Sequence, residues 1–229
     1  RDKAVLEERL PMALIHEAVG EVVRDNTGTF QPGTKVAMIP THAHGHDELV
    51  SDNYLKTSKF HSSTLDGFMR EFVVLAPEDL VEIPMGAQSK MNAFLEVVSV
   101  AVQAVRRLEE SMIDRKDTIG IWGDGNVAYM TAVVAREFFP DSKIFVFGKH
   151  QEKLDYISFA KTVQIDAIPE GFSVDQAIEA VGGRGSEAAT NQIINVINPR
   201  GAIVLSGVSE QPILVNTRMV LEKGITLAG

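Results

Sequence analysis

The stretch Thr118-Ile119-Gly120-Ile121-Trp122-Gly123-Asp124-Gly125-Asn126-Val127-Ala128 decides the fold. Its first five residues read as a buried strand, and residues 127–139 carry the apolar spacing of a helix. Between them lies Gly-x-Gly-x-x-Ala, the dinucleotide fingerprint with Ala in its third small position. Gly123 permits the tight turn, Gly125 lets backbone approach a pyrophosphate, and Ala128 lets helix and strand pack closely. Asn126 and Val127 begin the helix, whose N–H groups and macrodipole favour an anion at its N-terminus. A glycine-rich turn without ligand is the competing reading. The strand before the motif, the helix after it and a second strand at residues 143–147 favour a bound dinucleotide.

The end of that second strand indicates which dinucleotide. An NAD site places Asp or Glu there to bind the ribose 2′-hydroxyl. This chain reads Phe147-Gly148-Lys149-His150 instead. Gly148 leaves room, and Lys149, with His150 when protonated, can face a dianionic 2′-phosphate, so NADPH is expected. Read more simply, Lys149 is a solvated charge leading a helix.

Farther along, strand and helix signals alternate. A helix is expected at 152–161, a strand at 163–165, a helix at 187–197 stopped by Asn198-Pro199, and a strand at 202–208. Residues 174–181 are ambiguous between helix and strand. The alternation predicts an α/β doubly wound parallel sheet, a Rossmann domain. Upstream, residues 94–108 are apolar on nearly all sides, as in a helix buried between layers. Before residue 90 the texture changes to short strands at 16–24, 35–39 and 68–75, broken by Gln31-Pro32-Gly33 and Asp66-Gly67. That pattern predicts a small β-barrel or sandwich with a polar, strandless lobe at 41–63. Two domains are expected, residues 1–91 and 92–229.

Of 229 residues, 45% are hydrophobic and 23% charged, and the net charge is −9, the balance of a soluble globular protein. The acidic excess argues against nucleic acid and anionic membrane as partners. With no cysteine, the chain has neither disulfides nor Cys-based zinc sites, and the cytoplasm is the expected location. The chain starts at Arg1 rather than Met, and residues 225–229 read as a strand just begun, so a piece of a longer protein is expected.

Three residues carry the possibility of metal chemistry. His16 and Glu17 stand at the head of a strand, and Glu96 begins an apolar helix. A carboxylate in apolar surroundings is costly unless paired, hydrogen-bonded or metal-bound, and His plus carboxylates can hold zinc with an open position. Taken singly, His16 reads as a core histidine and Glu96 as a helix-N-terminal carboxylate. The tract His42-Ala43-His44-Gly45-His46-Asp47-Glu48 reads as a solvated loop rather than a metal site.

Together these residues resemble the medium-chain dehydrogenase/reductase family, the zinc alcohol and sorbitol dehydrogenases with a GroES-like catalytic domain. The resemblance rests on His16-Glu17-Ala18-Val19-Gly20-Glu21-Val22-Val23, Gln31-Pro32-Gly33-Thr34-Lys35-Val36, Asp66-Gly67-Phe68-Met69-Arg70-Glu71-Phe72 and Leu95-Glu96-Val97-Val98-Ser99-Val100-Ala101-Val102. Residues 11–20, Asn53-Tyr54-Leu55, Ser58-Lys59-Phe60, Gly207-Val208-Ser209-Glu210, Asn216-Thr217-Arg218 and residues 220–224 resemble the ribulose-5-phosphate reductase subgroup of teichoic acid synthesis in Gram-positive bacteria.

The resemblance implies an NADPH-dependent oxidoreductase that makes D-ribitol 5-phosphate from D-ribulose 5-phosphate. It implies a catalytic zinc held by His16, a carboxylate from Glu17 or Glu96, and a cysteine from a segment preceding this chain, so zinc can be absent here. The family's four-cysteine lobe has no counterpart, and no structural zinc is expected. Val181-Gly182 and Gly207-Val208 would lie beside the nicotinamide, and Lys56, Lys59 or Arg70 would meet the substrate phosphate. A homodimer is implied, and a ribitol-5-phosphate cytidylyltransferase is a possible pathway partner. Another zinc polyol dehydrogenase, a zinc-free NADPH quinone reductase and a non-catalytic NADPH-binding protein are the alternatives.

Overall fold

A computed structural model describes residues 9–229. Strands β1 (Val19–Glu21), β2 (Lys35–Met38) and β5 (Leu80–Glu82) form an antiparallel sheet in the order β1-β2-β5. Val19 lies opposite Ala37, and Ala37 in turn opposite Val81. Val36 is the one buried residue of β2, and Lys35, Ala37 and Met38 are half-buried.

The polar lobe departs from the strandless expectation at its two ends. There β3 (Thr41–His42) and β4 (Lys59–Phe60) pair as an antiparallel ribbon. Residues 68–75 depart the other way and form no strand. Their first amides bond instead to the Ala13–Ile15 backbone, which ends the run as an irregular loop carrying exposed Met69, Phe72 and Val74.

Helix α1 (Leu95–Ser111) buries Val97, Ala101, Ala104, Val105 and Leu108, a single stripe at helical spacing. Gln103, Arg106, Arg107 and Glu109 face solvent. The helix is therefore amphipathic, against the expectation of burial on all sides. The chain forms two compact units, the first ending at Glu96 and the second being Val97–Gly229. The division falls in the first turn of α1, slightly beyond the boundary expected after residue 91.

The second unit holds β6 (Thr118–Trp122), α2 (Asn126–Phe138), β7 (Lys143–Gly148), α3 (Gln151–Leu154), β8 (Lys161–Gln164), β9 (Gln176–Glu179), α4 (Ser186–Val196), β10 (Ala202–Leu205), α5 (Thr217–Lys223) and β11 (Thr226–Ala228). Six strands pair in parallel in the order β11-β10-β9-β6-β7-β8. Numbered within the unit, this is 3-2-1-4-5-6, the doubly wound order whose switch point lies between β6 and β9. The ambiguous segment resolves as β9, buried along its whole length. The helix expected at 152–161 is only the single turn α3, because Lys161 already belongs to β8.

Side-chain alternation assigns the two faces of this sheet. Ile119, Ile121, Ile144, Val146, Ile178 and Val204 pack with α1 and α2. Trp122, Phe147, Ala177 and Ile203 pack with Ile193, Ile194 and Ile197 at α4. Trp122 and Phe147 stack at 4.0 Å between centroids. Gly120 is required there, since a Cβ would stand 2.4 Å from the Trp122 ring. Among the described residues, no helix is long and apolar enough to cross a membrane.

Candidate active site

In the first unit, the approach to His16 is held by a short clasp. Gly67 N donates to Ala13 O (2.7 Å), Phe68 N to Ile15 O (2.7 Å) and Met69 N to Leu14 O (3.0 Å). Asp66 Oδ1 completes it by accepting from Ala13 N at 3.0 Å. A Cβ at position 67 would lie 2.3 Å from both the Leu14 and Ile15 carbonyl oxygens, so only glycine allows this approach. Ile15 takes a φ of +67°, a strained conformation for a β-branched residue. The strain sits one residue before His16, where the chain must turn to present the imidazole.

The His16 ring packs edge-on against Phe60, with centroids 5.1 Å apart. Its Nε2 lies 3.8 Å from Glu17 Oε1 and 4.0 Å from Glu96 Oε1. The Glu96 side chain is 13% exposed, far less than Glu17 at 42%. Burial pushes the Glu96 carboxyl above its ordinary value, and the neighbouring Glu17 charge pushes it further the same way. Two carboxylates and an imidazole thus converge where a cation would offset both penalties. Ligand atoms of a tetrahedral zinc stand about 3.4 Å apart, so the observed spacing fits the metal with small adjustment. Among the described residues, this is the single cluster of three or more potential metal ligands with such spacing.

The histidine tract does not converge. His42 Nδ1 pairs with buried Asp79 at 2.7 Å, and His46 Nδ1 lies 3.3 Å from Asp52. The His44 ring meets the His42 ring edge-on, with centroids 4.6 Å apart, and the His44 carbonyl accepts from Thr57 Oγ1 at 2.6 Å. Of the proposed phosphate contacts, Arg70 is engaged with Asp66 Oδ2 at 2.9 Å and with the Gly67 carbonyl. Lys56 and Lys59 are exposed.

In the second unit, the fingerprint loop has the form its sequence implies. Gly123 takes a φ of +140°, and a Cβ there would stand 2.9 Å from Ala180 O and 3.0 Å from the Ala128 side chain. A Cβ at Gly125 would meet no protein atom within 4 Å, so the space above it suits a pyrophosphate. Gly125 is also the N-cap of α2, and no side chain caps that end. Asn126 and Val127 form the first turn, and Ala128 is fully buried. These features fit a dinucleotide.

At the end of β7, Gly148 is buried while Lys149 and His150 are exposed. The corner does hold an acid, but it comes from the fingerprint loop. Asp124 Oδ2 accepts from Lys149 N (2.9 Å) and His150 N (2.8 Å), and lies 2.8 Å from His150 Nδ1. Lys153 Nζ lies 3.5 Å from Asp124 Oδ1. Burial raises this carboxyl's proton affinity, but the His150 and Lys149 hydrogen bonds and the Lys153 charge outweigh it and hold the carboxyl below the ordinary aspartate value. Sequence reasoning passed over Asp124 because the fingerprint leaves its second position open.

Glu179, also missed, organises the other loops. It is fully buried at the end of β9. Its Oε1 accepts from Val181 N (2.8 Å) and Gly182 N (3.0 Å), and its carbonyl accepts from Ser206 N and Gly207 N. Gly183 N donates to Val208 O at 2.7 Å. Val181-Gly182 and Gly207-Val208 are thus brought together at the carboxyl ends of β9 and β10, where open α/β sheets bind ligands. Gly207 fits because a Cβ would lie 2.3 Å from Gly182 N and 2.6 Å from Glu179 Oε2.

Comparison with known proteins gives consistent matches. Residues 2–85 match the alcohol dehydrogenase GroES-like domain family. The whole chain is 51% identical to ribulose-5-phosphate reductase 1 of Staphylococcus aureus and 46% identical to the ribulose-5-phosphate reductase of Bacillus spizizenii, covering 67% of each. A crystal structure of S. aureus TarJ in complex with NADPH superimposes with a TM-score of 0.83 at 46% identity, over all of this chain and 65% of that one. The chain therefore spans about two thirds of the length of these relatives.

Proposed function

Because the chain belongs to the medium-chain dehydrogenase/reductase family, with the ribulose-5-phosphate reductases among its relatives, we propose that it is the core of an NADPH-dependent reductase. Its reaction converts the C2 carbonyl of D-ribulose 5-phosphate to the alcohol of D-ribitol 5-phosphate, a precursor for ribitol-phosphate polymers such as teichoic acid. The observation that carries this reading is the 51% identity spread over the entire chain rather than over the fingerprint alone. The NADPH-bound relative and the basic Gly148-Lys149-His150 corner support the choice of cofactor.

His16, Glu17 and Glu96 would hold a zinc ion, which when bound supplies Lewis-acid polarisation of the substrate carbonyl. Gly125 and the first turn of α2 would hold the pyrophosphate of NADPH, the hydride donor. The chain's own residues orient these groups. The Gly67 clasp fixes the direction of His16 Nε2, and the Phe60 ring limits its rotation. Burial of Glu96 keeps its carboxylate from being satisfied by bulk water. Glu179 holds the Val181-Gly182 and Gly207-Val208 loops together, presenting exposed Val181 and Val208 as apolar surface suited to a nicotinamide ring.

The reading puts the protein in the cytoplasm, where NADPH and the sugar phosphate would be available. A homodimer would cover β11, the edge strand of the parallel sheet, and a ribitol-5-phosphate cytidylyltransferase would consume the product.

The test is loss of NADPH absorbance with D-ribulose 5-phosphate, using the full-length protein before and after zinc chelation. Turnover abolished by chelation and restored by zinc is expected. Glu96→Gln is expected to lower turnover by at least about tenfold. Full activity in that variant identifies a zinc-free reductase, and NADPH binding without turnover identifies a binding protein.

A further inference from the structure

The end of β7 poses a chemical puzzle. An acid in this corner ordinarily recruits the unphosphorylated ribose, because it accepts from the 2′-hydroxyl and repels a 2′-phosphate. Asp124 is such an acid, 14% exposed, at the corner that carries Lys149. Its hydrogen-bonding capacity, however, is directed inward. Oδ2 takes two successive backbone N–H groups and approaches the His150 ring, while Oδ1 faces Lys153. A carboxylate engaged this way has little capacity left for a ribose hydroxyl. The contact also requires glycine at position 148, since a Cβ there would lie 2.7 Å from the Asp124 Cβ.

We propose that Asp124 is a positioning residue for cofactor selectivity: by anchoring the Lys149-His150 backbone to the fingerprint loop, it fixes the turn that presents Lys149 to the 2′-phosphate of NADPH. This deepens the NADPH reading above and rests on it. The anchor joins the two loops that must meet opposite ends of the adenosine half, the pyrophosphate at Gly125 and the 2′-position at Lys149. Orienting a flexible lysine in advance removes part of the ordering cost that binding would otherwise carry.

Charge alone predicts the opposite outcome, which makes the inference testable. Removing a carboxylate beside a dianionic phosphate should tighten NADPH if Asp124 is merely a nearby negative charge. The anchor predicts weaker binding. Dissociation constants for NADPH and NADH, measured by cofactor fluorescence on the full chain, separate the two. Asp124→Ala is expected to weaken NADPH by about tenfold while changing NADH by less than about twofold. Asp124→Asn, whose amide oxygen can replace Oδ2 toward both N–H groups, is expected to keep NADPH affinity within about threefold of the parent.

A second measurement holds even if the alanine variant does not fold. In the cofactor-free parent, the Lys149 and His150 amides should be protected from hydrogen exchange although both residues are exposed. Exchange at the rate of open chain overturns the anchor. So does an alanine variant that discriminates between the cofactors as well as the parent or better. A parent that binds neither cofactor sinks the functional reading and this inference with it. A parent that prefers NADPH, with a variant of equal preference, sinks the inference alone.

Discussion

Gly67→Ala should disable the metal site without touching the dinucleotide site. The new Cβ would stand 2.3 Å from the carbonyl oxygens of Leu14 and Ile15, against about 3.4 Å for ordinary contact, so both must retreat by about 1 Å. Both obstacles are backbone, and neither can turn aside as a side-chain tip would. Retreat stretches the three amide bonds from Gly67, Phe68 and Met69 to the Ala13–Ile15 carbonyls. At about 1 kcal/mol each, their weakening together with the overpacking amounts to roughly 2–4 kcal/mol of local stability. The strained Ile15 is then free to relax, and His16 follows it. Zinc–ligand bond lengths hold to within about 0.2 Å once the metal is bound, and disturbing the groups that orient the ligands lowers affinity by about 10–100-fold. A competitive chelator titration of the purified protein, with metal content measured alongside, reads this directly. NADPH affinity in the same sample is the control and should not change. A Gly67→Ala protein that keeps parental zinc affinity would refute the claim that this clasp orients His16.

Further outcomes are expected elsewhere. Gly207→Ala, whose Cβ would meet Gly182 N at 2.3 Å, should weaken NADPH by at least about tenfold with zinc content unchanged, as read by cofactor fluorescence. Lys149→Ala should weaken NADPH about tenfold and leave NADH nearly unaffected, since it removes one partner of the 2′-phosphate. Asp175→Asn should cost about 2–3 kcal/mol at neutral pH in denaturant unfolding, because Asp175 bonds Thr118 and Asn198 and pairs with Arg115 at 2.9 Å. Burial raises the Asp175 pKa, but those bonds and that charge outweigh it and hold the carboxyl below the ordinary aspartate value. Its contribution is therefore present above the unfolded-state pKa and lost as pH falls through the lower folded value. The gap between parent and variant should narrow in acid.

Which parts of this structure could be read in the sequence follows from where the interactions lie. The Rossmann half was legible because its signals are local: an apolar strand, a glycine turn and the start of a helix within eleven residues, followed by a repeat of the pattern. Its order of strands follows from that alternation and the handedness of parallel crossovers. The amphipathic character of α1 was misread because valines also occupy its half-exposed positions, Val98, Val100 and Val102. In the first unit, residues 68–75 have the composition of a strand, yet the leading amides bond to a segment more than fifty positions away in the chain. No local pattern announces such a pairing. The site residues His16, Glu17 and Glu96 were ambiguous one at a time, and only the fold shows that their ligand atoms meet. Asp124 and Glu179 escaped notice for the same reason, because the partners that give each its role are mainly backbone amides, which are identical in every residue.

Those two hidden acids have a shared consequence. Each is a carboxylate whose bonds run to amides of loops at the carboxyl ends of parallel strands: Asp124 to 149 and 150, Glu179 to 181 and 182. Loops at such ends must be open enough to admit a ligand, and an open loop cannot satisfy its own N–H groups with regular pairing. An internal carboxylate supplies acceptors without closing the mouth of the site. It does so at the cost of burying negative charge next to an anionic cofactor, a cost accepted only where several donors neutralise it. Asp124 has two amides, a histidine and a lysine for this purpose, whereas Glu179 Oε2 has no hydrogen-bond partner among the described residues. Glu179→Gln thus removes a charge that, unlike the one on Asp124, has no donor on one of its oxygens. Its amide oxygen can retain the Val181 and Gly182 bonds, and removing a buried charge offsets the burial of its NH₂ group. The expected result is a cooperative unfolding transition shifted by less than about 1 kcal/mol, with NADPH affinity preserved. A large loss of NADPH affinity at unchanged stability would show instead that the Glu179 charge itself, not its acceptor geometry, serves the cofactor.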